Sequence, residues 1–351
     1  MSEISSLTEL LRQSGGQFRF FDMGRRVQKF SVEQFEKIEN QQTPYPYPYL
    51  QHAWVALMVW NPKNKEQGAA WFLKLPLDEQ GFLIQAVRDD LLSRLLKNAG
   101  GVLKHEQSGE IPEDALKDNP FSFKPDQEKM ALFHAYSTLT SNEPASQYFE
   151  HAQQYFSGQG SWDDWQSLGF QGIADLTVRH EKGNNNKILT TAIPLLPDVP
   201  FEVLCTCLES IQPDHKLYDA LCLRAEQSLE RGTASANHIA ALTRGLSNGK
   251  NSPRKQALIH SILESDYALE PEVIISIATR CHESLQEIST LNLFLEKLAI
   301  GKAGQSGFSR ILSDLMFMPA LRALILMQFR NEDRSEALTQ AIGEMFGSSF
   351  N

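Results

Sequence analysis

The chain has 351 residues, 42% of them hydrophobic and 22% charged, a balance that builds a core and excludes disordered, collagen-like and disulfide-scaffold classes. Its 43 Asp and Glu outnumber 33 Lys and Arg, for a formal charge of -10, which argues against a broad electrostatic grip on nucleic acid or an anionic membrane. A chain of this length accommodates two domains.

The opening MSEISSLTELL places Glu3 and Glu9 before any long apolar stretch. A secretory signal needs a basic start, an apolar segment and a small-residue cleavage site, so a cytoplasmic chain is expected. Segments rich in aromatic and branched residues follow at Gln17 to Asp22 and Arg25 to Phe30, separated by Met23-Gly24, then at Ala53 to Trp60 and Ala69 to Leu75 around the polar loop NPKNKEQG. They predict two hairpins of a small antiparallel sheet. Ser31 to Glu39 reads as a helix capped by Ser31 with Gln34 three residues on. Phe82 to Asn98 reads as a second helix, with Leu83, Val87, Leu91, Leu92, Leu95 and Leu96 on one stripe that covers the sheet.

Residues 100 to 126 open with Gly100-Gly101, contain three prolines and show no period, the features of a linker or wrapping segment. The first 99 residues carry 12 Lys/Arg and 11 Asp/Glu, leaving 21 against 32 for the rest, so the acidity belongs to the second part. The expected organisation is an α+β domain at 1–99, a linker at 100–126 and an all-α domain at 127–351.

Beyond Asp126 only helical patterns occur. Apolar anchors at Leu204/Leu208/Ile211, Ile239/Leu242/Leu246, Ile274/Ala278/Cys281 and Phe308/Leu312/Leu315 recur 34 to 36 residues apart, the period of stacked helical pairs. The tetratricopeptide pattern is absent, so a HEAT-like or irregular stack is expected, with earlier pairs at 127–156 and 162–196. The stretch from Ile311 to Phe329 contains Asp314, Pro319 and Arg322. Each charge at a bilayer centre costs about 2.5 to 3.5 kcal/mol, so this is a buried helix pair and no membrane span is expected.

Four cysteines without CxxC or zinc spacing read as free core thiols. Nine histidines form no HExxH and no tight cluster, although His238 with His260, or His134 with His151, could meet; no metal and no cofactor is assigned. Gly245-Leu246-Ser247-Asn248-Gly249 matches the G-x-S-x-G nucleophile elbow, but a helix runs into it where the elbow needs a strand, so a helix end and turn is the simpler reading. Arg244, Lys250, Arg254 and Lys255 form a local positive cluster, the one anion-contact candidate in the acidic half and otherwise a solvated loop.

Two features of the first domain stand out. Tyr45, Tyr47 and Tyr49 alternate with prolines and form either an extended aromatic rail or a connector whose rings pack on the sheet. Arg25 and Arg26 can approach Asp78 or Glu79 if the hairpins are adjacent, giving an internal clamp, an anion patch or an acid/base site.

The segments FDMGRRV, TPYPYPY and WFLKLPLDEQG resemble the opening signature of a bacterial family of unknown function, most strongly over residues 17 to 96. The resemblance implies a bacterial cytosolic protein and supplies no activity, cofactor or catalytic residue. The residues themselves support a protein-binding adaptor or scaffold acting through its helical stack and the tyrosine rail, since no convergent catalytic set is visible. The alternative is a small-ligand sensor or enzyme with Arg25 and Arg26 on an anion and Asp78 or Glu79 as acid or base. A protein partner is expected and nucleic acid is not. Oligomeric state is left open: Met345, Phe346 and Phe350 either cap the last helices or dock a second subunit.

Overall fold

The computed structural model describes residues 6–61, 64–105 and 119–347. The chain divides into two compact units, Met1–Met130 and Ala131–Asn351.

The first unit runs α1 (Leu7–Gln13), β1 (Gln17–Asp22), β2 (Gln28–Phe30), α2 (Val32–Glu39), β3 (His52–Asn61), β4 (Asn64–Pro76) and α3 (Gln85–His105). The strands form one antiparallel sheet in the order β2-β1-β3-β4, so the two expected hairpins are adjacent. The pleat sends Phe20, Leu57 and Trp71, directly opposite one another in the register, to the same buried face. There Phe20 stacks on Phe35 of α2 at 3.9 Å between ring centroids, which seats the helix on the sheet.

Three details differ from the expectation. Helix α1 has no counterpart among the expected elements; its N-terminal amides at Leu7 and Thr8 donate to the buried Glu39 carboxylate at 2.9 and 3.2 Å, and the Thr8 hydroxyl bonds it too. The Glu39 carbonyl in turn accepts from Gln85 and Arg88 of α3, so the end of α2 ties three helices together. Strand β2 starts at Gln28 rather than Arg25, because residues 23–27 form a buried turn. Helix α3 continues through Gly100 and Gly101 to His105; glycine costs a propagating helix only about 1 kcal/mol per residue.

The expected linker therefore begins inside α3. Its residues 106–118 lie outside the described residues, as does Phe350. Residues 119–126 return beside β4: the Lys74 amide donates to Phe121 O at 2.7 Å and the Phe123 amide to Phe72 O at 3.0 Å. That pairing covers part of the edge strand, and Phe123 closes edge-on against Trp54 at 4.8 Å.

α4 (Gln127–Thr140) leads into the second unit, which continues with α5 (Phe149–Phe156), α6 (Phe170–Val178), α7 (Asn185–Ala192), α8 (Asp198–Leu208), α9 (His215–Arg231), α10 (Ala236–Ser247), α11 (Pro253–Glu264), α12 (Pro271–Arg280), α13 (Ile288–Ile300), α14 (Gly304–Met316), α15 (Pro319–Gln328) and α16 (Glu336–Gly347). Short 3₁₀ turns sit between some of them, including Trp162–Ser167, which extended Leu168 and Gly169 separate from α6. The helices pack in two rows. One row runs α6, α8, α10, α12, α14 and the other α5, α7, α9, α11, α13, α16. Each of the twelve apolar anchors named from the sequence is buried.

Local chemistry sets the helix starts. Ser252 caps α11 with Pro253 at the first position, Asp214 caps α9 and Ser235 caps α10. Across the first row, the buried Glu209 at the end of α8 receives Arg244 of α10 at 2.8 Å and Arg280 of α12 at 2.9 Å. Burial alone would push its carboxyl up; the charges of Arg280 and Arg244 outweigh that and hold it below the usual range. All four cysteines are free and buried, and among the described residues no helix is long and apolar enough to cross a membrane. Phe346 is exposed, with its ring edge-on to Phe329.

Candidate functional site

Three segments of the first unit converge on Tyr45. β1 ends in Asp22, the prolines at 44, 46 and 48 carry the tyrosines past it, and the turn after β4 holds Asp78 and Glu79. The Tyr45 hydroxyl donates to Asp22 Oδ1 at 2.6 Å. Its backbone amide donates to Gly81 O at 2.8 Å.

Asp22 is fully buried. The Gly24 backbone amide donates to Oδ1 at 3.3 Å and the Gln28 side-chain amide to Oδ2 at 3.4 Å. Burial raises its carboxyl to about 6, against the lowering effect of those hydrogen bonds and of the Lys129 charge. Tyr45, equally buried, has its phenol pushed well above the ordinary range by burial and by Asp22. Gly24 sits at a close approach, since a Cβ there would lie 3.2 Å from Asp22 Oδ1 and 3.3 Å from Tyr49 Cβ, tighter than ordinary contact.

Both arginines of the turn are buried. Arg25 Nε donates to Pro48 O at 3.1 Å and its guanidinium lies 5.3 Å from the Tyr49 ring centroid. Arg26 acts electrostatically on half-buried Tyr47, whose phenol is raised by burial first and by Asp22 second, with Arg26 opposing. Tyr47 meets Tyr45 edge-on at 6.1 Å. The tyrosines thus pack against the unit; Tyr45 is the most buried of the three, while Tyr47 and Tyr49 keep part of their surface. Asp78 Oδ1 accepts from the Gln80 and Phe82 amides, each at 2.9 Å, and so shapes its own turn. Glu79 is exposed.

Two partners had no signal in the local sequence. Lys129, in the first turn of α4, donates to Met23 O at 2.9 Å and Gly24 O at 2.6 Å and lies 5.9 Å from the Tyr49 ring. Trp54 donates from Nε1 to Tyr49 O at 2.8 Å and carries Lys74 over its ring at 4.7 Å. Together they lock the turn and the tyrosine segment to the sheet. The arrangement can bury a carboxylate among cations and phenols, and it holds that carboxyl at the edge of titration near neutral pH.

In the second unit the G-x-S-x-G match is a packing device. A Cβ on Gly245 would come 2.9 Å from Cys205 Sγ, and one on Gly249 would come 2.0 Å from the Tyr218 ring; both glycines permit close contact, and Ser247 is buried between them. The positive cluster is largely committed. Arg244 holds Glu209, Arg254 holds Glu226 at 2.8 Å and Asp219 at 3.0 Å, and fully buried Lys255 donates to Ser247 O at 2.6 Å. His238 and His260 take other partners: His238 Nε2 lies 3.3 Å from Ser228 Oγ and Nδ1 3.3 Å from Asp198, while His260 lies 3.3 Å from Thr290 Oγ1. His151 bonds Ser167. Among the described residues no group of three or more His, Cys, Asp or Glu is arranged to hold a metal ion.

A family described as "Protein of unknown function (DUF3549)" matches residues 2–346. No curated protein and no solved structure matches the chain.

Proposed function

We propose that this chain, which belongs to the DUF3549 family, is a cytoplasmic adaptor that binds another protein through its helical unit, read as an irregular HEAT-like stack. The observation that carries this reading is the pair of helix rows: α8, α10 and α12 lie side by side, and such rows present an extended face to a partner. The Glu209 link to Arg244 and Arg280 stiffens that face across three helices. Exposed apolar side chains, Val199 on α8 and Ile275 on α12, supply contact points on the same row.

The test uses the full chain as bait in native lysate, with cross-linking mass spectrometry to locate the contact. A partner cross-linked to the second unit and released by Val199→Asp or Ile275→Asp, with circular dichroism unchanged, supports the adaptor. A partner retained equally by both variants, or cross-linked only to the first unit, overturns it.

The buried Asp22, with its carboxyl raised by burial, favours a second reading, a small-ligand sensor in the first unit, because perturbed carboxyls concentrate at functional sites. It requires a thermal shift with a carboxylate or phosphate metabolite that Arg25→Met abolishes.

A further inference from the structure

The second unit contains a cleft of about 470 Å³, within the roughly 300–1,000 Å³ of small-molecule sites. It opens between the α8–α9 and α10–α11 connections. His215 and Tyr218 form one wall, and Lys250, Ser252 and Arg254 the other. Its walls are therefore the first turns of two neighbouring helices, of 17 and 12 residues. Each start carries a partial positive charge, with one amide already taken by its cap, Leu217 by Asp214 and Lys255 by Ser252.

The charges on the walls are unevenly committed. Asp214 is turned to its own surroundings, with Oδ1 accepting from the Leu217 amide at 2.9 Å and Oδ2 from Asn186 at 2.6 Å. Asp219 is paired with Arg254 at 3.0 Å, and Arg254 also grips Glu226. Among the described residues, exposed Lys250 and exposed His215 have neither a hydrogen bond nor an ion pair. Ser252 accepts from the Lys255 amide at 3.2 Å through its oxygen, which leaves its hydroxyl proton to donate. Lys250, Ser252 and a ring N–H of His215 are thus available to donate, beside the committed carboxylates of Asp214 and Asp219. Tyr218 lies over Gly249, where any side chain would strike the ring, so glycine at 249 lets the tyrosine form a wall of the cleft.

We propose that this cleft binds an anion of phosphate size, free or as a phosphate monoester, gripped by Lys250 and His215 with Ser252 as a further donor and Tyr218 packing against it. The site is separate from the partner-binding face and does not depend on that reading. Lys250 was part of the basic cluster in the sequence, and it is the member left available once Arg244, Arg254 and Lys255 have found their partners.

The test is calorimetric titration of the full chain with inorganic phosphate and, in a second arm, with a phosphoserine peptide. Saturable binding that Lys250→Met weakens by about tenfold or more, the effect of losing one charge-assisted hydrogen bond, supports the site. Unchanged thermal unfolding of Lys250→Met shows that the loss is local. Tighter binding of the peptide than of phosphate identifies a protein-borne source, and equal or weaker binding a free one. Absence of saturable phosphate binding by the unaltered chain, or equal binding by Lys250→Met, overturns the proposal. Loss with Arg25→Met but not with Lys250→Met also overturns it, and moves the anion to the first unit.

Discussion

Replacing Asp22 by Asn tests the account of the first unit most directly. Burial raises this carboxyl from 3.8 to about 6, roughly two pKa units, and at about 1.4 kcal/mol per unit this corresponds to about 3 kcal/mol. Because the folded value lies above the unfolded one, the protonated form is favoured in the folded unit. Its stabilisation is complete below about pH 4 and is lost as pH rises through about 6. Asn has a similar shape and an oxygen to accept from Tyr45, but no proton to lose. The assay is urea unfolding from pH 4 to 7, followed by tryptophan fluorescence and taken as the difference between the two proteins, so that all other titrating groups cancel. As pH rises from 4 to 7 the difference is expected to change by about 2 to 2.5 kcal/mol, most of that total, in favour of the Asp22→Asn variant. Parallel pH profiles would refute the argument that the carboxyl is buried without sufficient compensation.

Three further substitutions follow from the contacts. Lys129→Met removes donors to Met23 O and Gly24 O and is expected to cost about 1.5 to 3 kcal/mol in the first unit; it also removes a charge that lowers Asp22, so the Asp22 titration seen by NMR moves upward, and an unmoved titration counts against the contact. Gly249→Ala drives a methyl into the Tyr218 ring and is expected to destabilise by about 1 to 3 kcal/mol, with recovery in Gly249→Ala/Tyr218→Ala; no recovery means another clash is responsible. Glu209→Gln leaves Arg244 and Arg280 without their shared charge and is expected to cost about 3 to 5 kcal/mol by chemical unfolding, whereas a loss under about 1 kcal/mol would make the link incidental.

What could be read in advance depended on how far away the controlling atoms were. The sheet was legible because Phe18, Phe20, Val55 and Val59 alternate within each strand. The helical content of the second unit was legible because apolar residues recur along it at helical spacing. Helix α1 was not, being only seven residues long and held by Glu39, whose carboxylate lies 31 and 32 residues along the chain. The turn at 23–27 depends on Lys129, 105 and 106 residues away. The positive cluster at 244–255 looked available because its acids are distant in sequence: Glu209 is 35 residues before Arg244, and Asp219 is 35 before Arg254. The neutralising residues sit on or beside earlier helices, Glu209 at the end of α8 and Asp219 on α9, so a local charge count misses them.

Asp22 and Glu39 of the first unit and Glu209 and His238 of the second respond to pH in opposite senses. In the first unit Asp22 and Glu39 are held chiefly by hydrogen bonds; burial wins, and both carboxyls are raised. Each contributes stability that is complete below its unfolded pKa and lost as pH rises. In the second unit Glu209 is lowered because two guanidinium charges outweigh its burial. His238 is also lowered, by burial first and by Arg224, with Asp198 opposing. The contribution of each is present above its unfolded value, ordinarily 4.5 for Glu209 and 6.5 for His238, and is lost as pH falls. Acidification from about pH 7 to about 4.5 is therefore expected to strengthen the first unit through Asp22 and Glu39 and weaken the second through His238, with Glu209 adding to the loss below that range. Calorimetry across this interval should show two unfolding components shifting in opposite directions, and His238→Gln should flatten the acid decline of the second. Components that shift together would mean that surface charge dominates the buried groups in setting the pH response of this protein.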